Sequence, residues 1–162
     1  MTKKNILYFD MDNVLVDFQS GLDQVQEEEK ARYADDGMGK SHHDDIPGIF
    51  AKMNPMPGAI EAVNALADKY DCYILSTVPW NNPTALQDKL DWIKHYFPQI
   101  FHKRVIFSHH KELCLQPNAY LIDDRTAHGA DQFGHRHIQL GSTIFPDWKS
   151  VLDYLLYPHS FG

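Results

Sequence analysis

The sequence predicts an α/β protein built on a doubly wound parallel sheet, with a small helical cap inserted after the first strand. Three observations carry that reading. Short apolar runs recur with almost no polar alternation, as in Ile6-Leu7-Tyr8-Phe9, Cys72-Tyr73-Ile74-Leu75 and Tyr120-Leu121-Ile122, and such runs suit strands buried on both faces. Helical periodicities separate them, and repeated strand–helix–strand is the pattern of a parallel sheet. The runs also stop at polar residues (Asp10, Ser76-Thr77, Asp123-Asp124), and right-handed crossovers bring such strand ends to one edge.

In chain order, the first strand is Asn5 to Phe9. Residues 17–55 then break the rhythm. Phe18 to Tyr33 reads as one charged helix with Leu22, Val25 and Gln26 on one side. Asp35 to Asp45 is a polar, glycine-containing loop, and Ile46 to Met53 is a second short helix. This insertion is the expected cap, leaving 1–16 and 56–162 as the core domain. After Pro57-Gly58, Ile60, Val63, Leu66, Ala67 and Tyr70 recur at helical spacing. Cys72 to Leu75 is the next core strand. Asn82-Pro83 resembles a cap and first-turn proline, followed by a stripe of Leu86, Leu90, Ile93 and Phe97 that Pro98 closes. Strands at Arg104–Phe107, Tyr120–Ile122 and His137–Leu140 follow. A last helix from Asp147 to Tyr157 turns Trp148, Val151, Leu152 and Leu155 inward before Pro158.

Composition narrows the functional classes. The chain has 162 residues, 43% hydrophobic and 12% aromatic, one domain's worth and enough apolar content for a core. A net charge of −7 argues against a nucleic-acid polymer as partner. Small phosphorylated substrates remain open, because a metal ion can supply positive charge locally. Cys72 and Cys114 could form one bridge at most, and reduced thiols of a cytoplasmic protein are the plainer reading. Asp10 ends the first apolar run far short of a signal-peptide core, and no later stretch reaches the roughly 18 apolar residues of a membrane span. A soluble protein without membrane attachment is therefore expected. None of the paired histidines has the spacing of a helical zinc pair.

The chemistry is expected where the strands end. Asp10-x-Asp12, Ser76-Thr77, Lys111 and Asp123-Asp124 would converge on the crevice where open α/β sheets bind ligands. Up to four carboxylates there repel one another unless a cation sits among them. Oxygen-only ligands favour a hard divalent ion, best Mg²⁺. A lysine and a small hydroxyl suit the oxygens of a transferring phosphoryl group. One carboxylate must be free to attack phosphorus and another to manage the leaving group's proton, roles that Asp10 and Asp12 could divide. Taken singly, each residue also has an ordinary explanation, as a turn aspartate, a helix cap or a surface lysine.

Taken together, Asp10-Met11-Asp12-Asn13-Val14-Leu15, Ser76, Lys111 and Asp123-Asp124 resemble the ordered motifs of the haloacid dehalogenase superfamily. Asp10 to Phe18, Leu121 to Arg125 and Asp147-Trp148-Lys149 are closer to one branch, the 5′(3′)-deoxyribonucleotidases. The resemblance implies an aspartyl-phosphate on Asp10, with Asp12 as acid and then base. It implies Mg²⁺ on the Asp10 side chain, the Asp12 carbonyl and Asp123, with Asp124 behind, and a phosphate held by Ser76, Thr77 and Lys111. It puts Phe18, and less directly Trp80, in the pocket for the nucleobase of a nucleotide substrate. Asn13 stands where the superfamily often has glycine, and asparagine tolerates the left-handed turn. The sequence does not decide between monomer and homodimer. Two other readings stay open: a phosphatase for another small metabolite, and a phospho-accepting receiver module, whose motifs run in a different order.

Overall fold

In chain order the strands are β1 (Ile6–Phe9), β2 (Val16–Asp17), β3 (Asn54–Pro55), β4 (Asp71–Ser76), β5 (Val105–Phe107), β6 (Ala119–Asp123) and β7 (His137–Gln139). The helices are α1 (Phe18–Leu22), α2 (Glu27–Arg32), α3 (Ala59–Ala67), α4 (Ala85–Tyr96) and α5 (Trp148–Leu156), with short 3₁₀ segments between them. The computed structural model describes residues 3–34, 37 and 41–157. Parts of the expected loop (Asp35, Asp36 and Met38 to Lys40) and Pro158 lie outside the described residues.

The five core strands form one parallel sheet in the order β5-β4-β1-β6-β7. The chain moves outward from β1 to β5, returns to the other side of β1, and moves outward again. The winding therefore reverses beside β1, which makes its C-terminal end the binding crevice of such a sheet. Alternation along β1 explains why its sequence is apolar throughout. Leu7 and Phe9 join a core with Val63, Leu66, Val151 and Leu155, while Ile6 and Tyr8 join a second one with Leu121 and Phe133. Both faces are covered, so neither register position can be polar.

The insertion departs from the expected single helix over Phe18–Tyr33. It breaks into α1 and α2, separated by a turn that buries Val25. Gly21 lies so close to Met53 that a Cβ there would come within 2.6 Å of its Cγ, and Gln24 Nε2 donates to the Lys52 carbonyl at 2.6 Å. These contacts tie the end of α1 to the returning chain and stop it from running on. Ile46–Met53 likewise forms no α-helix but a 3₁₀ turn at Ile49–Ala51, entered through Gly48 in left-handed geometry. The β2–β3 ribbon pairs Val16 with Pro55 where the chain leaves and rejoins the core. Val25, Ile46, Ile49, Phe50 and Met53 belong to the same apolar cluster as the sheet, so the described residues of segment 17–55 build no separate core.

Helix α4 also differs from its sequence reading. It begins at Ala85, because Asn82 Oδ1 accepts from the Thr84 amide while its Nδ2 donates to the carbonyls of Asp44 and Ile46. Leu86 is exposed, and the buried positions are Ala85, Lys89, Trp92 and Ile93. A lysine thus occupies the inward stripe. Both cysteines are free thiols. Among the described residues no helix is long and apolar enough to cross a membrane.

Candidate active site

Asp10 follows β1 directly, and its amide donates to Ile122 O at 2.9 Å, continuing the ladder to β6. The loop after it closes tightly on one carbonyl. Met11 O accepts from the amides of Val14, Leu15 and Val16 at 2.9–3.1 Å, and Asn13 takes φ 61° to permit this. Asparagine is among the few non-glycine residues that adopt this geometry readily. Trp148 Nε1 donates to Val14 O at 2.8 Å, and Met11, Val14 and Leu15 are buried. The loop carrying both aspartates is therefore anchored by its apolar residues.

Ser76 and Asp123 are the last residues of β4 and β6, the two strands flanking β1. Lys111 opens a 3₁₀ turn after β5. Asp10, Asp12, Thr77, Lys111 and Asp123 line one small polar pocket, together with Arg125, Ala127 and His128. Lys111 Nζ lies 3.1 Å from Asp10 Oδ1 and 2.6 Å from Asp123 Oδ2. The other Asp123 oxygen accepts from the Arg125 amide at 3.0 Å. Ser76 is fully buried, and Thr77 Oγ1 donates to Ser108 O at 3.1 Å.

Carboxylate oxygens of Asp10, Asp123 and Asp124 lie within 4.8 Å of one another. Burial, and then the charge of Asp10, push Asp123 up to about 7 and Asp124 up to about 6. Burial likewise raises Asp12, with Asp10 adding to the shift and Lys89 opposing it. Burial alone would lower Lys111, but Asp10 and Asp123 outweigh it and raise its pKa. One ammonium does not balance this cluster. An all-oxygen donor set whose protons are held by proximity fits a hard divalent cation.

The other expected residues lie further out. Phe18 is half-buried at the start of α1, its ring edge-on to Phe50 at 6.0 Å. Trp80 is 86% exposed, outside the pocket, with its ring 5.8 Å from that of His109. His109 in turn meets His128 edge-on at 6.0 Å.

Sequence reasoning missed Lys89, Arg125 as a pocket residue, and His128. Lys89 Nζ donates to Thr77 O at 2.8 Å, Ser76 Oγ at 3.1 Å and Asp12 Oδ2 at 3.3 Å. Its signal was a lysine i+4 from Ala85 and i−4 from Ile93, on a stripe otherwise buried. Arg125 stood beside a recognised acidic pair. For His128 no local pattern pointed inward.

Several solved structures share this fold. YfnB of Bacillus subtilis, described as a haloacid dehalogenase-type hydrolase bound to magnesium, matches with a TM-score of 0.63 at 15% identity, over 96% of this chain and 100% of that one. The L-2-haloacid dehalogenase of Xanthobacter autotrophicus matches with a TM-score of 0.52 at 18% identity, over 97% and 84%. These two likenesses show a fold of the haloacid dehalogenase type. Within it, a family model described as 5′ nucleotidase, deoxy (pyrimidine), cytosolic type C protein matches residues 31–146. A protein of Vibrio phage KVP40, provisionally named a 5′(3′)-deoxyribonucleotidase, is 51% identical over 154 residues, 95% of this chain and 86% of that protein. The 5′(3′)-deoxyribonucleotidase of Bacillus subtilis strain 168 is 27% identical over 144 residues, 80% and 81% of the two chains. The chain belongs to the 5′ nucleotidase, deoxy (pyrimidine), cytosolic type C family.

Proposed function

We propose that the protein is a Mg²⁺-dependent phosphatase that hydrolyses deoxyribonucleoside monophosphates through an aspartyl-phosphate on Asp10. The observation that carries this reading is the meeting of Asp10, Asp12, Lys111 and Asp123 in one pocket at the C-terminal end of β1. The substrate class rests on the family and on the names its relatives bear.

Asp10 attacks phosphorus through a carboxylate oxygen, forming an acyl phosphate as the bond to the nucleoside oxygen breaks. Asp12 delivers a proton to that oxygen, a role its raised pKa favours. It then takes a proton from water, which attacks the acyl phosphate, releases inorganic phosphate and restores the Asp10 carboxylate. Lys111 and Thr77 line the pocket that the phosphoryl oxygens would enter, and the fully buried Ser76 hydroxyl accepts from Lys89. Asp10, Asp123 and Asp124, with the Asp12 carbonyl, would hold Mg²⁺, which supplies positive charge against the phosphate when bound. Segment 17–55 acts as a cap, and Phe18 offers the nucleobase its ring. Trp80 is assigned to the rim beside His109.

Phosphate release from a panel of nucleoside, sugar and amino-acid monophosphates, with and without Mg²⁺, tests the reading. Turnover of deoxyribonucleotides above the rest, lost on chelation, is expected. Preference for a sugar or amino-acid phosphate would replace the substrate, and metal-independent turnover would remove the ion.

A further inference from the structure

Lys89 sits in the middle of α4 with its side chain 1% exposed. An ammonium in such a place is costly unless every donor is met. Here all three are. An ammonium has three N–H groups, and Lys89 spends them on Thr77 O, Ser76 Oγ and Asp12 Oδ2. The ring of Phe50 covers it, with its centroid 4.6 Å from Nζ, in the place of the water the charge has lost.

We propose that Lys89 is a positioning residue of the reaction, holding Asp12 in its working orientation. Resting on the assignment of Asp12 as acid and base, this adds a residue that neither the motifs nor the family reading supplied. Lys89 has no donor left for phosphate, in contrast to Lys111, which lines the pocket itself. Its effect therefore passes through the groups it grips. Lys89 is the side-chain donor that holds Asp12, by Oδ2, while Oδ1 is buried with no hydrogen-bond partner. Ser76 Oγ accepts from Lys89 at 3.1 Å and itself donates to Thr77 O at 3.5 Å. Thr77 O, the third acceptor, fixes the backbone between these groups.

A lysine that merely anchored α4 would show none of the following behaviour. Lys89→Met keeps the length and apolar stem while removing the charge. Its turnover of a deoxyribonucleotide should fall about 10²-fold with little change in KM, the scale of a misplaced catalytic group. With p-nitrophenyl phosphate, whose leaving group needs no proton, the first step should survive while water attack slows. The variant should then release a burst of p-nitrophenolate and accumulate phosphoenzyme. In an Asp12→Asn background, adding Lys89→Met should cost little more, because the group it positions is already disabled. Lys89→Arg, run through the same cycle, serves where the Met variant does not fold, and should show the same loss of effect beside Asp12→Asn.

Absence of a p-nitrophenolate burst, or losses that multiply with Asp12→Asn, would overturn the role of Lys89 and leave the phosphatase reading intact. Full activity of Asp12→Asn itself would instead overturn the assignment of Asp12.

Discussion

Asp10 and Asp123, at the ends of neighbouring strands, share the Lys111 ammonium, 3.1 Å from one and 2.6 Å from the other. The β1–β6 register aligns Phe9 with Ile122, so the next residue of each strand must meet its counterpart at the same level. Chain positions far apart thus become one charged cluster through backbone pairing alone.

That cluster is strained by its own charge, since Asp10 raises both Asp123 and Asp124. Asp10→Asn should therefore abolish turnover yet leave the metal-free protein as stable as before or more so. Differential scanning fluorimetry without divalent ions checks this, and a lower melting temperature would count against it.

The same shifts set a pH dependence. Asp123 near 7 and Asp124 near 6 lie above the ordinary carboxylate range, so the folded protein binds these protons more tightly than the unfolded chain. Their contribution to stability is present at low pH and is lost as pH rises through 6 and 7. A cation must displace those protons. The rise in melting temperature on adding Mg²⁺ should be small at pH 5 and grow up to pH 8, and an increment independent of pH would contradict the assigned ligands.

Phe18 packs edge-on against Phe50, 6.0 Å between ring centroids. Phe18→Ala should raise KM for deoxyribonucleotides far more than for p-nitrophenyl phosphate, which has no nucleobase. Steady-state kinetics on both substrates decides it, and equal effects would remove Phe18 from the base pocket.

Asn13 holds φ 61° in the loop that follows β1. Asn13→Gly should fold normally, whereas Asn13→Val should lose about 1–2 kcal/mol of stability, the cost of left-handed geometry for a side chain that resists it. Chemical denaturation of the two variants measures the difference.

Strands and strand-end residues were legible because their signals are local: an apolar run and the polar residue that stops it. Asp10 and Asp123 needed nothing more than topology to be brought together. The insertion was less legible. Its helix breaks where Gly21 meets Met53 and Gln24 meets Lys52, contacts between segments that periodicity within one segment does not encode. Lys89 was hidden for a related reason. Helical patterning assigns lysine to the solvent face, and only the acceptors that await it on the loops after β1 and β4 turn it inward. Leu86 was displaced to the surface as part of the same rotation.

The most direct measurement is acid-quench trapping of the enzyme during turnover, followed by peptide mapping of the phosphorylated residue. The expected result is phosphate on Asp10 in the wild type and on no residue in Asp10→Asn. Phosphate on another side chain, or undiminished turnover in Asp10→Asn, would contradict the mechanism.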